Sequence, residues 1–427
     1  MPPRRASRTP VAAAEAAEWH LLKLPIEVLA IVLFHLPLAH DIARAASACR
    51  LFRDAAKRAF ERRPFSNEIR TIIQVEKDHE AALRSFSVSV GVLSKAQPDP
   101  VIVAGGESCV HWIGAKGRTS WRLDGRTWRR RITSMTFLPS GMSDASRFVA
   151  AEERDNRQAP NGLECTLRLF KIRRNTEDWG QPGSQLYDEE FTWRSKHHVA
   201  CVAAIDSERF VAVGIGSWPR IFSIDRPEPL CELKGATEKN NVVAVSENGA
   251  KLVLGGFDNF LRVIDVETAC TVWKSPQTMP LSVTSLAWMP DNQRFLAGTE
   301  TNTYLQQVIQ MKKSEKMALA DSVTIATSGG MSLWDVHHGQ CKNFDTRSQV
   351  LLCIVALPDN RHVLCAGNAI KLINVETAAL LRTFRYHEQM CTGLALYPDG
   401  RFVSVSDDRT IRIAYHGLVP MLSLIHI

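Results

Sequence analysis

The residues of this chain best equipped for chemistry are two adjacent histidine pairs, His197-His198 and His337-His338, ten cysteines and a Gly214-Ile215-Gly216 run. Imidazoles bind metals or move protons, thiolates act as nucleophiles, and a Gly-x-Gly turn can cradle a phosphate. None of these groups sits in the pattern its chemistry needs. Adjacent histidines on a strand point to opposite faces and cannot chelate one ion together. The cysteines run from Cys49 to Cys391 with no Cys-x-x-Cys pair and no neighbouring histidine at metal spacing, so they read as buried thiols of a reducing compartment. Pro219 stands where a dinucleotide fingerprint needs its third glycine, and no helical pattern follows, which makes Gly214 to Gly216 a connection between strands. Gly-x-x-x-x-Gly-Lys-Ser/Thr, Gly-x-Ser-x-Gly and His-Glu-x-x-His are absent. The expectation is a non-catalytic chain with no metal and no cofactor.

Recognition is the other chemistry on offer. Arg126, Arg129, Arg130 and Arg131 form one cationic cluster, Arg194, Lys196, His197 and His198 a second, and Trp218 follows as an aromatic anchor. Guanidinium groups gathered on one surface bind acidic or phosphorylated peptides through bidentate contacts. The competing reading is a solvated charged rim with Trp218 packed in the core.

Composition narrows the classes. At 427 residues with 45% hydrophobic and 23% charged residues, the chain can bury a large core. Its longest apolar run, Val28 to Phe34, falls far short of the roughly 20 residues of a bilayer-spanning helix, so no membrane partner is expected. From Met1 to Arg70 basic side chains outnumber acidic ones and carry most of the net charge of +7. The remainder is near neutral, which argues against nucleic acid as a partner of the main body.

Two regions have different grammars. Before Glu61 alanine is abundant and glycine absent, as helices prefer, whereas all 24 glycines fall at or after Gly91, where tight turns between strands need them. Residues 1–19 read as a disordered basic tail. In residues 20–63, Pro25 suits a first helical position and Glu27 the positive end of the dipole, giving a helix from Pro25 to about Leu36. Pro37 ends it, Asp41 caps a second helix through Phe52, and a third runs from Arg53 to Arg62 before Pro64. The first helix is apolar around nearly its whole circumference, more than a small unit can bury alone.

The segment LPIEVLAIVLFHLPLAHDIARAASACRLFRDAAKRAF resembles an F-box, matching at Leu24, Pro25, Glu27, Leu36, Pro37, Asp41, Cys49, Arg50 and Phe52. That resemblance implies docking on a Skp-type adaptor, and through it a cullin, with Leu24, Pro25, Ile26, Leu29, Leu33 and Pro37 in the contact. A plain helical hairpin serving the core is the bland alternative.

After Gly91 a strand order repeats. Third strands are legible at 109–115, 166–172, 219–225, 260–266, 331–337, 369–375 and 410–416. Several successive ones are separated by roughly 40 residues, the period of a four-stranded propeller blade. The widest interval, between the strands at 260–266 and 331–337, holds either an insertion over 300–322 or a further degenerate blade; the insertion is preferred, giving seven blades over residues 64–416. These segments resemble WD repeats: Trp334-Asp335 is the eponymous dipeptide, Ile264-Asp265 and Ile224-Asp225 are degenerate forms, and the Gly-His dipeptide is missing. Asp258 and Asp408 occupy the family's turn position and are expected to bond neighbouring backbone and hydroxyls. IRTIIQVEK (69–77) is a candidate to pair with the last blade, and residues 417–427 read as a tail of doubtful origin.

The expected fold class is thus a small all-α F-box-like module followed by an all-β propeller. The two resemblances together imply a substrate-recognition subunit of an SCF-type ubiquitin ligase, cytoplasmic or nuclear, whose propeller would hold an acidic or phosphorylated target for ubiquitin-dependent degradation. The alternative is a WD-repeat interaction scaffold outside any ligase.

Overall fold

The computed structural model describes residues 25–34, 50–62, 69–74, 85–94, 97–106, 109–114, 117–122, 130–139, 147–155, 163–172, 187–195, 197–276, 279, 282–299, 329–339, 341–348, 350–397 and 400–418. Two compact units partition the chain, Met1–Ser66 with Gly417–Ile427, and Asn67–His416.

In the first unit the described structure is a helix pair, α1 (Ile26–Phe34) and α2 (Arg50–Arg62). The Pro25 carbonyl accepts the Val28 and Leu29 amides at 3.0 Å, so Pro25 is the cap of α1 and not its first helical residue. Small residues make the packing close: Leu29 and Ala30 of α1 and Ala55 and Ala56 of α2 are all buried. An exposed ion pair, Arg58 Nη1 to Glu27 Oε1 at 2.7 Å, crosses between the helices and contributes little in such high dielectric.

The second unit is a β-propeller. Each of six blades uses four consecutive antiparallel strands. Blade one is Ser85–Ser94, Gln97–Gly106, Cys109–Gly114 and Gly117–Arg122, and blade two is Arg130–Leu138, Arg147–Asp155, Leu163–Ile172 and Tyr187–Ser195. Blade three follows as Cys201–Ala204, Arg209–Gly214, Ser217–Ser223 and Cys231–Glu232, and blade four as Asn240–Val245, Lys251–Gly256, Arg262–Asp265 and Cys270–Lys274. Val283–Trp288, Arg294–Thr299, Gly329–Asp335 and Cys341–Ser348 make blade five; Cys353–Ala356, His362–Ala366, Ile370–Asn374 and Leu380–Phe384 make blade six. A closing sheet combines Cys391–Leu396, Arg401–Ser406 and Thr410–Tyr415 with Ile69–Gln74, which pairs antiparallel with the Thr410–Tyr415 strand. Inner strands touch their neighbours all round, and that of blade one packs between blade two and the closing sheet.

The expected fold class is corrected on both halves. The three-helix F-box-like module is not seen: the described helix amounts to α1 and α2, and the span read as a second helix falls largely outside the described residues. Six blades, not seven, are complete in sequence, and the remaining sheet borrows a strand from far upstream. Residues 300–328, the expected insertion among them, lie outside the described residues and connect the second and third strands of blade five.

Burial explains the strand grammar. The second strands of blades three, four and five and of the closing sheet share one pattern, a half-buried first residue and then five buried ones. Covered by a neighbouring sheet on each side, such a strand cannot alternate and reads as a continuous apolar run, as in Phe210-Val211-Ala212-Val213. Turns between first and second strands are fixed by aspartates. Asp206, Asp291 and Asp359 each accept backbone amides two and three residues on, at 2.7 to 2.9 Å, and pair with Arg209, Arg294 and His362. Those turns also link blades: Asn248 N–H donates to Asn292 Oδ1 at 3.2 Å, and Asn360 Nδ2 to Asp291 Oδ2 at 3.1 Å.

Candidate interaction face

At the opposite end from those aspartate turns, each blade ends its second strand beside the segment entering its own first strand. In blades three and four that strand ends in glycine, in blade six a glycine follows it at once, and a Cβ at any of the three would be driven into backbone. At Gly214 it would collide with the His198 carbonyl, at Gly256 with the Lys239 carbonyl, and at Gly367 with the Val350 carbonyl. Chain that close to its neighbour has one outcome for the next residue, which is turned out to solvent. Ile215 is 46% exposed, Phe257 47%, and Asn368 is exposed as well. Trp218, just beyond the Ile215 turn, is 42% exposed and so is not packed in the core.

Two backbone hydrogen bonds bring the apolar turns of adjacent blades to a single dipeptide. Gly216 N–H donates to the Glu238 carbonyl at 2.9 Å and Phe257 N–H to the Lys239 carbonyl at 3.0 Å. Glu238 and Lys239 are themselves exposed.

The two expected cationic clusters are only partly described. Arg126, Arg129 and Lys196 lie outside the described residues, and Arg130 begins the inner strand of blade two with its side chain undescribed. Arg131 is half exposed but is held by Glu153, a carboxylate only 2% exposed. Arg194 is exposed near the end of the outer strand of blade two, opposite Thr166. His198 Nε2 lies 3.7 Å from Glu153 Oε1, and burial holds this imidazole below its usual range despite the nearby carboxylate. Cys165, facing the same group, is pushed up to about 11 by burial and is inert as a nucleophile. Of the adaptor-contact residues, Pro25 is exposed and Ile26 half-buried, while Leu29 is fully buried within its helix pair; the side chains of Leu24, Leu33 and Pro37 are outside the description.

One buried polar network is not legible as a motif. His387 places Nδ1 2.9 Å from Asp408 Oδ2 and Nε2 2.8 Å from Ser404 Oγ, and Thr410 Oγ1 donates to Asp408 Oδ1 at 2.7 Å. Burial holds His387 below its usual pKa, a lowering that Asp408 partly offsets; the neutral ring then donates through Nδ1 and accepts at Nε2. Burial would raise Asp408, but hydrogen bonds from Thr410 and His387 bring it below the usual carboxylate range. Asp258 does the corresponding work in blade four, accepting from Thr237 Oγ1 at 2.9 Å and from the Phe260 amide at 3.2 Å and pairing with buried Arg262 at 2.6 Å. Tyr386 precedes His387, so no Gly-His dipeptide marks this network in the sequence.

Among the described residues no group of three or more His, Cys, Asp or Glu could hold a metal ion, and no helix is long and apolar enough to cross a membrane. His337 and His338 serve a turn, their amides donating to Asp335 Oδ1 at 2.8 and 3.0 Å.

Comparison with known proteins agrees with this architecture. Residues 378–413, from the outer strand of blade six to the third strand of the closing sheet, match the WD domain, G-beta repeat family. A mouse protein named telomerase protein component 1 is 29% identical over 147 residues, which is 30% of this chain and 5% of that protein. The chain is a β-propeller carrying a WD repeat.

Proposed function

We propose that this chain is a WD-repeat interaction scaffold, a propeller that binds other proteins and performs no bond chemistry of its own. The observation that carries the reading is the WD repeat at residues 378–413 built into a ring of four-stranded sheets, a framework whose turns present side chains of several blades on one surface. Cross-linking mass spectrometry on the tagged full-length chain in cells tests it. Cross-links from propeller lysines such as Lys239 and Lys274 to a reproducible set of proteins are expected; a monodisperse chain with no intermolecular cross-links would overturn it.

A finer reading attaches to the N-terminal unit, docking on a Skp-type adaptor of a ubiquitin ligase. It is supported by the Leu24-Pro25-Ile26-Glu27 start and by Val28, an apolar residue of α1 left 41% exposed. Calorimetry of the full chain against such an adaptor separates the two: binding lost on Leu24→Ala with Pro25→Ala would establish the ligase role, and no binding by the folded wild-type chain would leave the scaffold alone.

A further inference from the structure

In blades three, four and six the residue after the strand-end glycine is placed at the surface by backbone packing, whatever its side chain, because that glycine lies against a carbonyl of the adjoining segment. Solubility favours a polar residue in such a place. Blade six has Asn368, and the closing sheet has Asp407 directly after its own second strand. Blades three and four, which are neighbours, instead have Ile215 and Phe257, and blade three adds Trp218 three residues further on. Folding needs no apolar group at these sites, as Asn368 demonstrates, and exposing large apolar side chains has no return in the isolated chain.

Charge defines the partner further. Glu238 and Lys239, the dipeptide to which both turns are hydrogen-bonded, are exposed and make no side-chain ion pair with any described residue. The surface thus offers two apolar stations, one per blade, with a carboxylate and an ammonium between them. A fully apolar partner would leave both charges desolvated and unpaired, which costs more than the apolar contact returns.

We propose that Ile215, Trp218 and Phe257 form a docking surface for an extended segment of a partner protein, one that carries a bulky apolar side chain for each blade and charged residues of both signs between them. This rests on the scaffold reading and names a place and a chemistry for it. Trp218 and Phe257 supply rigid contact area, as aromatic residues do at the centre of protein interfaces.

The probe is a displayed library of random twelve-residue peptides, selected on the immobilised full-length chain. Enriched peptides are then titrated against the wild type, a triple variant (Ile215→Ser, Trp218→Ser, Phe257→Ser) and a control with Asn368→Ser. Selected sequences should carry two apolar residues flanking charged ones, bind the control as tightly as the wild type, and lose at least 10-fold in affinity with the triple variant. Because all three side chains are exposed, the variant should keep the wild-type melting temperature, which is measured alongside; if it melts early, the single Phe257→Ser change is titrated in its place. Peptides that bind the variant equally well would overturn the docking surface while leaving the scaffold reading intact. Failure to enrich any peptide overturns the surface too, and the cross-linking experiment then decides the scaffold separately. Self-association of the wild type, seen by sedimentation and abolished in the variant, would overturn the partner in favour of a second copy.

Discussion

At the scale of single residues, the molecule depends on polar groups that its burial makes expensive. His387 and Asp408 are nearly inaccessible to solvent, 3% and 5% exposed, and each satisfies the other. Removing the imidazole leaves a buried carboxylate short of a donor, and His387→Ala should cost about 2–4 kcal/mol, read as a lower urea midpoint with unchanged slope. The pH dependence has a definite sign. His387 titrates below 6.5 in the folded chain, so as pH falls through about 6.5 the unfolded state takes up a proton that the folded state refuses, and stability falls. His198, also lowered by burial, adds in the same window. Asp408 is lowered from 3.8, and its contribution is lost only as pH drops below that value. Melting temperatures measured from pH 7.5 to 5.5 should therefore decline in the wild type and decline less in His387→Gln, which removes one of the titrating groups. An identical slope in the two proteins would contradict the buried, neutral assignment. A buried thiol follows the same logic: burial pushes Cys365, fully inaccessible to solvent, up to about 12, so it should not react with a thiol reagent at pH 7 until the fold opens.

At the scale of elements, the glycines at strand ends separate two costs that are easily confused. Gly256→Ala drives a methyl group into the Lys239 carbonyl, where backbone must move, and should destabilise by about 3 kcal/mol. Gly339→Ala meets nothing within 4 Å and suffers only from its left-handed backbone, φ 61°, a cost of about 1–2 kcal/mol. Denaturant midpoints of the two variants should rank in that order. The same elements show what the sequence discloses. The third strands are legible because several of them recur at intervals near the blade period and because Asp258 and Asp408 mark the turns before two of them. The exposed surface of Ile215 and Phe257 is not, since an apolar residue after an apolar strand reads as more strand; only the carbonyl pressed against Gly214 or Gly256 reveals that the next side chain must leave. Trp218 stands out as a candidate from its residue type alone, and its exposure follows from the turn it sits beside. The meeting of the two cationic runs is not legible either: strand pairing sets Arg131 opposite Glu153, and His198, from the second run, lies 3.7 Å from that same carboxylate. In the helical unit, the periodicity of Arg50–Arg62 is visible in the sequence, and the helix merges the end of the expected second helix with the third.

At the scale of the whole molecule, the fold is a ring whose closure relies on one short strand from far upstream. The strand Ile69–Gln74 pairs with Thr410–Tyr415 through Ile72 opposite Arg412 and Ile73 opposite Ile411, so the propeller's first strand in sequence completes its last sheet. No other described strand covers that edge of the closing sheet. Closing so long a loop is slow and entropically costly, so the sheet should form late and open first. Opening exposes the edge of Thr410–Tyr415, a β-rich, nearly uncharged run (Thr-Ile-Arg-Ile-Ala-Tyr) of the kind that templates aggregation. Ile72→Pro tests the argument, because proline removes an amide and restricts the backbone in the middle of that strand. Hydrogen exchange followed by mass spectrometry should show protection lost in peptides covering residues 401–415 and retained in those covering blades three and four. The variant should also aggregate at a lower temperature than the wild type. Loss of protection across all blades at once would mean instead that the ring is one cooperative unit, with closure essential to every sheet in it.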